Sequence, residues 1–477
     1  MVLKLYNTLT RQKEEFKPID EGKVRFYSCG QTIYDDLHVG NARAYVVWDT
    51  LRRYLEWKGY TVRHVQNITD VGHLTDDGDQ GEDKVEKRAN ELGIEPMELV
   101  EDQIERYFQD TKAINVERQD IVPRATGHIH EMIEFVKRII ENGYGYEVDG
   151  NVYFDVDKFA KDYPYGEMAN KDLDQLKEEA QSRVEEDDKK KNQYDFALWL
   201  NAEGTGHLMK WESPWSVGYP GWHLECSVMS QKYLGDEFDI HAGGKDHIFP
   251  HHPNERAQCF GATGKGQSRY WLHNEFITVE GEKMSKSKGN FYTVRDLLEE
   301  GFSGNVIRLY IISSHYRSET DFSKEGLEKA QKELQKVKRT LQRIQKFGKN
   351  EKDDLEAETE RLYQDFERSM DDDINTAKAK QTLMKYVNQV NAVFDEQDSP
   401  GVGQAEKSIV ELFGVLGVNL EETRETETEL VETMINLREK ARESQDYETS
   451  DYVRDRLEEL GFDIEDADKG TIWTSEN

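Results

Sequence analysis

The stretch Tyr27–Arg43, which reads YSCGQTIYDDLHVGNAR, constrains the fold of this chain more than any other. A run of β-branched and aromatic residues leads into it and ends at Cys29–Gly30, and a polar loop follows. His38–Asn41 then opens a segment whose apolar residues recur at helical spacing, namely Ala44, Val47, Leu51 and Leu55. A strand, a glycine-containing loop and a helix start are typical of a parallel α/β sheet that offers free helix N–H groups to a phosphate. Short turns with glycine are common, so the stretch alone predicts only a nucleotide site.

The length and composition limit the possible classes of protein. A chain of 477 residues is too long for one hydrophobic core, and we expect about two to four domains. No apolar run reaches the length that spans a membrane, and the N-terminal residues do not form a secretory signal. The cysteines, Cys29, Cys226 and Cys259, are too few for a disulfide framework, which predicts a protein of the reducing cytoplasm.

The first half of the chain predicts a sheet that is interrupted by an insertion. Residues 1–130 contain the opening strand and helix and a second strand at Thr61–Asn67. Residues 131–205 contain a helix at Glu131–Asn142, and Asp149–Gly150 is a turn signal between two short strands. We therefore predict the first half of a nucleotide-binding sheet, followed by an inserted segment.

The second half predicts a return to the sheet and then a change to helices. Residues 206–280 contain buried strands, the last of them at Tyr270–Val279. Residues 281–322 contain a lysine-rich loop and two helical segments. From about residue 323 the sequence is helical and charged, which predicts a helical block at 323–418 and a terminal unit at 419–477.

A second signature, KMSKS, lies in the lysine-rich loop at residues 283–287. Together with HVGN at 38–41 it resembles the two signatures of the class I aminoacyl-tRNA synthetases. The surrounding blocks are most similar to the cysteinyl-tRNA synthetase family and extend over nearly the whole chain: LYNTLTRQKE, CGQTIYDDLHVGNAR, NITDVGH, YDFALW, SPWSVGYPGWHLEC, FDIHAGGKDHIFPHH, GEKMSKSKGN and SMDDDINT. The resemblance implies an α/β protein with a split Rossmann-like nucleotide-binding catalytic domain, a connective insertion and α-helical C-terminal domains.

The resemblance also implies a cysteine–tRNA ligase, which forms cysteinyl-adenylate from L-cysteine and ATP with Mg²⁺ and passes the acyl group to tRNA(Cys). Charge builds on phosphate oxygens in such a reaction, so the catalyst needs placed donors and cations. By resemblance, His38, Gly40 and Asn41 form the catalytic helix start at which ATP binds. Lys286 is the lysine that contacts ATP, and Lys283 supports it. Family members often have histidine in place of Asn41, whose amide still donates a hydrogen bond.

A metal site is indicated weakly by spacing and strongly by the resemblance. His251 and Glu255 lie four residues apart, and a helix start near Pro253 would let both face one ion. From the residues alone, a cysteine such as Cys226 is more often a small core residue. In cysteinyl-tRNA synthetases, however, the matching positions bind a zinc ion that also accepts the substrate thiolate: Cys29, Cys226, His251 and Glu255. A thiolate bonds zinc better than a hydroxyl does, so the ion would separate cysteine from serine.

The remaining cysteine pocket is also implied by matching positions in the family. Gly30 and Thr69 match positions that hold the amino acid, and Trp222 would close over its side chain. Asp246 is a candidate partner of the α-ammonium group, and His241 is a candidate for orienting the carboxylate. Cys259 has no matching role, and we expect it in the core.

Two alternative functions stay open from the sequence. One is a cysteine ligase with the same fold and zinc pocket that acts on an amino sugar, although such enzymes lack the C-terminal extension. The other is a zinc-stabilised adenine-nucleotide-binding module without catalysis, against which both signatures argue. We expect a monomer without a membrane partner. In the terminal unit, Thr474 stands where arginine is usual, which puts one RNA contact in doubt.

The predicted helix in Lys324–Lys349 carries a stripe of cations. Its apolar residues recur in steps of three and four on one face. Six cations recur at the same steps on a face about 200° away, and they are Lys329, Lys332, Lys336, Arg339, Arg343 and Lys346. Two interpretations stay open, the solvated surface of a bundle helix or a track for tRNA phosphates.

The formal net charge of −33 also allows two interpretations. A strongly acidic chain ordinarily has no nucleic-acid partner, because phosphate binding needs local positive charge. Alternatively, the chain is halophilic and contains a basic patch within an acidic whole. The signatures favour the second interpretation.

We predict that the protein needs concentrated salt. Repulsion among 96 acidic residues, against 63 basic ones, destabilises the compact state at low ionic strength. Near 1 M salt the Debye length is only about 3 Å, so this repulsion is screened. Circular dichroism and activity measured between about 20 mM and 2 M KCl should both rise with salt. Equal folding and equal activity at both ends of the titration would contradict the prediction.

Overall fold

The structure is a computed structural model that describes residues 2–74, 81–171, 175, 189–279, 281–284, 290–349, 354–397, 400–420, 425–467 and 470–475. Its strands are β1 (Lys4–Asn7), β2 (Gln12–Glu15), β3 (Lys23–Ser28), β4 (Thr61–Gln66), β5 (Gly145–Val148), β6 (Asn151–Phe154), β7 (Phe196–Asn201), β8 (Trp211–Glu212), β9 (Val217–Pro220), β10 (Glu237–Gly244), β11 (Gln267–Asn274), β12 (Ile277–Val279), β13 (Glu282–Lys283), β14 (Thr320–Phe322), β15 (Phe462–Ala467) and β16 (Gly470–Ser475).

The helices, in chain order, are α1 (Val39–Trp57), α2 (Lys84–Leu92), α3 (Pro96–Ala113), α4 (Ile129–Glu141), α5 (Val156–Asp162), α6 (Leu224–Leu234), α7 (His251–Thr263), α8 (Val294–Glu299), α9 (Gly304–Ile311), α10 (Lys324–Phe347), α11 (Glu356–Asp371), α12 (Thr376–Glu396), α13 (Ala405–Val415), α14 (Glu425–Glu443) and α15 (Tyr447–Glu459). Among the residues that the structure describes, no helix has both the length and the apolar character that a membrane crossing requires.

A four-stranded parallel sheet, in the order β11-β10-β3-β4, combines two separate parts of the chain. Strands β3 and β4 flank α1, and β10 and β11 flank α7. The two central strands are hydrophobic on both faces, with Phe26, Tyr27 and Ile240 fully buried, as expected for a sheet that helices cover. The split nucleotide-binding sheet predicted from the sequence is thereby confirmed, whereas the domain boundaries stay a prediction.

An antiparallel sheet of five strands, in the order β5-β6-β7-β9-β8, lies in the chain between the two parts of the parallel sheet. The turn between β5 and β6 places Asp149 at φ +51° and Gly150 at φ +77°. Two successive positive φ angles are typical of the type I′ turn, which favours Asp-Gly. Local turn chemistry therefore forms this hairpin, as its sequence predicts.

A small sheet in the order β13-β12-β14 follows the parallel sheet. The strand predicted at Tyr270–Val279 is two strands, because the chain leaves the parallel sheet after Asn274 and joins β14 from Ile277 onward. Strands β12 and β14 are parallel, with Ile277 paired to Thr320. The hairpin from β12 to β13 enters the lysine signature at Lys283.

The C-terminal part consists of helices α10–α13 and a terminal unit in which α14 and α15 pack on the hairpin β15–β16. The expectation of helices alone is incomplete here, because Phe462 and Trp473 of the hairpin belong to a small separate core. Thr474, the departure noted in the sequence, is buried beside that core.

Half of the cation stripe on α10 is engaged within the chain. Arg339 pairs with Asp463, and Arg343 pairs with Asp395 at 2.9 Å. Lys346 Nζ donates to the Thr471 carbonyl at 2.6 Å. An unbroken track for tRNA phosphates is therefore wrong for this half. The three cations at the other end of the stripe, Lys329, Lys332 and Lys336, are exposed.

A fully buried arginine, Arg308 of α9, joins α1 to the helical part. Its guanidinium donates to the carboxylate of Asp49 at 2.5 Å and to the Leu416 carbonyl at 2.7 Å. It also donates to the Thr50 hydroxyl at 3.0 Å and to the Asn115 carbonyl at 2.8 Å. Since four segments of the chain meet at one side chain, this contact fixes α1 against the end of α13.

We predict that Arg308→Met lowers the free energy of unfolding by about 3–5 kcal/mol, because one partner of a buried ion pair is removed. Asp49 would keep only Arg53, at 2.7 Å, among its basic partners in the described structure. Urea denaturation followed by circular dichroism measures the change. The control is Arg88→Met, which removes an exposed pair with Glu91 and should cost less than about 1 kcal/mol. Equal losses in the two variants would contradict the prediction.

Candidate active site and metal centre

A cavity of about 790 Å³ lies at the carboxyl ends of the parallel strands. Each strand supplies lining residues from the segment in which it ends: Cys29 after β3, Asn67 after β4, Gly244 at the end of β10 and Asn274 at the end of β11. Ligands of open α/β sheets bind at this edge. The sheet topology therefore brings together segments that are far apart in the sequence.

The HVGN signature forms the N-terminus of α1 on the cavity wall. His38 is the N-cap residue, and its Nδ1 accepts a hydrogen bond from the Asn41 backbone N–H at 3.3 Å. A Cβ atom on Gly40 would lie 2.9 Å from the His38 ring, so only glycine fits without a shift. His38, Gly40 and Asn41 all line the cavity. The positive end of the α1 helix dipole favours an anion here.

The HVGN signature adjoins the segment that follows the KMSKS signature. The Val39 N–H donates to the Tyr292 carbonyl, and the Val294 N–H donates to the Leu37 carbonyl, both at 2.9 Å. Met284 of the KMSKS signature also lines the cavity. The Lys283 backbone lies in β13, but its side chain and the whole of Lys286 lie outside the described residues. Their contacts with ATP stay a prediction.

The structure brings together the four predicted metal ligands, whose donor atoms all lie within 4.8 Å of one another. The two sulfur atoms, Cys29 Sγ and Cys226 Sγ, are 3.9 Å apart. Glu255 Oε1 is 3.0 Å from His251 Nε2 and 3.9 Å from Cys29 Sγ. His251 and Glu255 face one point because they are four residues apart on α7.

A second possible ligand set shares two members with the first and consists of Cys29, His241, His252 and Glu255. His241 and His252 are completely buried and are not among the residues that line the cavity. Cys226 and His251 do line it. A substrate in the cavity can therefore reach the first set, whereas the two histidines lie behind it.

Hydrogen bonds orient the ligands of the first set. His251 Nδ1 lies 2.8 Å from His223 Nδ1, which leaves His251 Nε2 free to face the other ligands. Glu255 Oε2 accepts a hydrogen bond from Gln267 at 3.1 Å and lies 2.8 Å from His241 Nε2. Partners of this kind commonly fix the orientation of metal ligands. The histidine expected to orient the substrate carboxylate, His241, contacts Glu255 instead, and its position does not favour direct contact with a substrate.

The electrostatics of the site favour bound positive charge. Burial raises the pKa of Cys29. Burial also tends to raise the pKa of Cys226, but the hydrogen bond from Cys29 and the nearby His251 bring it to about 6. Burial tends to lower the pKa of His251, which the charges of Glu255 and Cys226 raise to about 10. A thiolate and a carboxylate thus lie together in a buried site, and in the free protein a histidinium compensates them.

The predicted substrate positions lie on the cavity wall, with one exception. Gly30 donates from its backbone N–H to Asn67 Oδ1 at 2.9 Å, and a Cβ atom there would lie 1.6 Å from the Asn67 carbonyl oxygen. Asn67 Nδ2 donates in turn to the Thr69 hydroxyl at 3.0 Å. Asp246 is exposed on the same wall. The exception is His241, which does not line the cavity. Sequence reasoning missed Asn67, and its place in the NITDVGH block is the only feature of the sequence that could have indicated it.

Trp222 lies on the cavity wall between two histidine rings. Its ring is 4.1 Å from that of His73, almost parallel at 8°, and 4.6 Å from that of His251. Lys84 Nζ donates to His73 Nε2 at 2.8 Å, and the Thr32 hydroxyl is 2.5 Å from His73 Nδ1. An ammonium group can only donate, so Nε2 is the acceptor and His73 is held neutral. Sequence reasoning assigned no role to His73, although it also lies in the NITDVGH block.

Comparison with known proteins finds two matching family models and relatives that match nearly the whole chain. The family described as "tRNA synthetases class I (C) catalytic domain" matches residues 15–332, and the DALR domain matches residues 365–421. The cysteine–tRNA ligase of Desulfitobacterium hafniense is 44% identical to this chain, and the alignment covers 99% of this chain and 100% of that ligase. That of Carboxydothermus hydrogenoformans is 44% identical over 99% of both chains, and that of Pyrococcus horikoshii is also 44% identical over 99% of both.

Solved structures with similar folds are more distant in sequence. Methionyl-tRNA synthetase of Mycobacterium tuberculosis in complex with methionyl-adenylate has a TM-score of 0.57 at 16% identity, over 83% of this chain and 89% of that one. The LeuRS–tRNA–LeuAMS ternary complex of Agrobacterium radiobacter K84 has a TM-score of 0.59 at 12% identity, over 84% of both chains. At these identities the likeness concerns the fold alone.

Proposed function

The chain belongs to the cysteine–tRNA ligases of the class I tRNA synthetases, and on this premise we propose that its four buried ligands, Cys29, Cys226, His251 and Glu255, hold a zinc ion that selects cysteine by its thiol. The ligase acts on ATP, cysteine and tRNA. An amino-sugar acceptor is not supported, because relatives named as cysteine–tRNA ligases match 99% of the chain. A module without catalysis is likewise not supported.

The observation that carries the proposal is the donor set itself. Two sulfurs, one imidazole nitrogen and one carboxylate oxygen suit zinc, and metal–ligand bonds of about 2.0–2.3 Å in a tetrahedron place donor atoms roughly 3.3–3.8 Å apart. The separations of 3.9 Å for the two sulfurs and 3.0 Å for His251 Nε2 and Glu255 Oε1 lie within a few tenths of an ångström of that range. When bound, zinc would supply a Lewis acid that accepts a thiolate far better than an un-ionised hydroxyl.

The chain's own residues would hold the rest of the amino acid. The Gly30 and Thr69 positions, both fixed by Asn67, place polar groups next to the thiol site. Asp246 offers an exposed carboxylate on the same wall for the α-ammonium group. Trp222, stacked between His73 and His251, would cover the side chain and exclude water. This arrangement orients the substrate carboxylate for attack on ATP.

The ATP end of the proposal rests on the α1 N-terminus, where His38 and Asn41 line the cavity. A helix N-terminus is equivalent to roughly +0.5 charge and favours phosphate. We assign Lys286 to the triphosphate and Lys283 to its support, with Mg²⁺ carried by ATP. Their positive charges would neutralise the charge that develops on the phosphate oxygens.

Several finer properties are proposed with the activity. We place the enzyme in the cytoplasm, as a halophilic monomer that binds tRNA(Cys) through its helical and terminal units. Three exposed lysines of α10, Lys329, Lys332 and Lys336, supply local positive charge for the RNA in an otherwise acidic chain. Light scattering in concentrated KCl tests the monomer directly.

We predict that Cys226→Ser lowers zinc affinity and cysteine-dependent pyrophosphate exchange by at least roughly 10–100-fold, because a soft ligand is removed. The preference for cysteine over serine should fall as well. Elemental mass spectrometry measures the zinc content, and pyrophosphate-exchange kinetics with cysteine and with serine measure the activity and the preference. The control is Cys259→Ser, the same substitution at a buried cysteine that belongs to neither ligand set. A Cys226→Ser protein with full zinc and full activity would show that the assignment is wrong.

A second prediction concerns the lysine signature. Lys286→Ala should lower the rate of adenylate formation by roughly 10²–10³-fold, because one cation is removed from the transition state. The dissociation constant of cysteine should change much less, since the thiol site is at the other end of the substrate. Single-turnover exchange and cysteine titration separate the two quantities, with Lys137→Ala, an exposed helix lysine paired with Glu134, as the control. A change in cysteine affinity alone would contradict the assignment.

A further inference from the structure

Arg43, five residues after the N-cap of α1, is a buried arginine that does not line the cavity. Its guanidinium donates to three backbone carbonyls, those of Phe276 at 2.7 Å, His315 at 2.9 Å and Ser318 at 2.6 Å. A longer contact of 3.4 Å joins it to the Ser314 hydroxyl. Within the described structure, no carboxylate lies within 4.0 Å of this guanidinium. Arg43 is therefore a buried cation whose short contacts are all with backbone.

The carbonyls that Arg43 binds lie at the base of the small sheet. Phe276 directly precedes β12, and Ser318 lies two residues before β14. The two strands run parallel, with Ile277 paired to Thr320, so a single guanidinium contacts their starts. At the far end of β12 the hairpin turns into β13 and the KMSKS signature. The sheet that carries this signature is thus attached to α1 at its base.

The small sheet and α1 both contribute to the cavity in which the proposed function places ATP. Phe276, Ile277 and Met284 line the cavity from the sheet, and His38 and Asn41 line it from α1. The backbone pairs of Val39 with Tyr292 and of Leu37 with Val294 join α1 to the segment that precedes α8, and the Tyr292 ring packs on Phe322 of β14 at 4.9 Å. Arg43 is the contact at the base of the sheet. The backbone pairs act on the segment before α8 and not on the starts of β12 and β14, which Arg43 contacts.

We propose that Arg43 is a positioning residue for adenylate formation, which fixes the angle of the signature-bearing sheet on α1 so that both signatures meet one nucleotide. This role rests on the ATP site of the proposed function and does not depend on the zinc assignment. Lysine cannot replace arginine here. The planar guanidinium has several N–H donors in a fixed geometry and contacts carbonyls before both strands, whereas the single ammonium group of lysine cannot reach both. Arginine also stays charged at neutral pH, since burial lowers its pKa only to about 10.

The test is Arg43→Lys, measured by pyrophosphate exchange in concentrated KCl without tRNA. We expect kcat to fall on the order of 10–100-fold, as for a displacement of about 1 Å in a site. The KM for ATP should rise with it, whereas the KM for cysteine and the metal content per chain should stay within about twofold of the parent. Active-site titration of the enzyme-bound adenylate corrects the rates for any misfolded fraction.

The matched control is Arg52→Lys on the same helix. Arg52 also uses its guanidinium as a fork, toward Glu56 at 2.9 Å and Asp120 at 3.2 Å, but it does not contact the small sheet. We expect the exchange kinetics of the control to be unchanged. A purely structural role of Arg43 would lower the melting temperature of Arg43→Lys and leave kcat per active site at the parent value, and that result would overturn the proposal.

If Arg43→Lys does not fold, a second variant tests the same sheet. Thr320 Oγ1 donates to Ser314 Oγ at 2.7 Å, so Ser314→Ala combined with Thr320→Ala loosens the segment that Arg43 holds without removing the buried charge. A several-fold loss of kcat, again with an unchanged KM for cysteine, would support the proposal. Parent exchange kinetics in this folded double variant would overturn it.

Discussion

The buried carboxylate of Glu255 is the group on which the thiol site depends. It is completely inaccessible to water, and removing a carboxylate from water is costly unless charges and hydrogen bonds replace its hydration. The chain supplies them from three directions, with His251, His241 and Gln267 all within 3.1 Å. These partners lower the pKa of Glu255 in spite of its burial. The carboxylate therefore stays ionised, and its charge, with that of a thiolate from Cys226, explains why the site should hold a cation.

The arrangement of the parallel sheet explains why distant residues meet there. Parallel strands end at one edge, so the segments after β3, β4, β10 and β11 converge although the insertion separates them in sequence. The insertion forms its own antiparallel sheet and returns to the parallel sheet through α6 and β10. Cys29 and Cys226 thus come within 3.9 Å across 197 positions of the chain. The fold, and no local motif, creates the ligand set.

Features that depend on residues close together in the sequence could be predicted, whereas contacts between distant segments could not. The Asp149–Gly150 turn and the start of α1 depend on neighbouring residues, and the sequence predicts both. The cysteine ligands have no common local pattern, so only resemblance to a family could join Cys29 with Cys226. His73 and Arg43 were missed because their partners lie on other segments, and side-chain spacing carries no signal for such contacts. The continuous cation track was wrong at Arg339 and Arg343 for the same reason, since Asp463 and Asp395, which pair with them, are 124 and 52 positions away.

Helix α1 links these observations, because directional contacts hold it along its length. Arg43 attaches it to the small sheet, Asp49 attaches it to Arg308, and the Tyr54 hydroxyl donates to Asp371 at 2.6 Å at the end of α11. Apolar packing would stabilise the same helix but tolerates small rotations and shifts, because the hydrophobic effect is non-directional. Hydrogen bonds and ion pairs weaken steeply when their geometry changes. The first turn of α1 lines the cavity, and its last turns support the helical part of the chain. Buried polar contacts fix the orientation of this helix, which therefore couples the geometry of the cavity to that of the C-terminal helices.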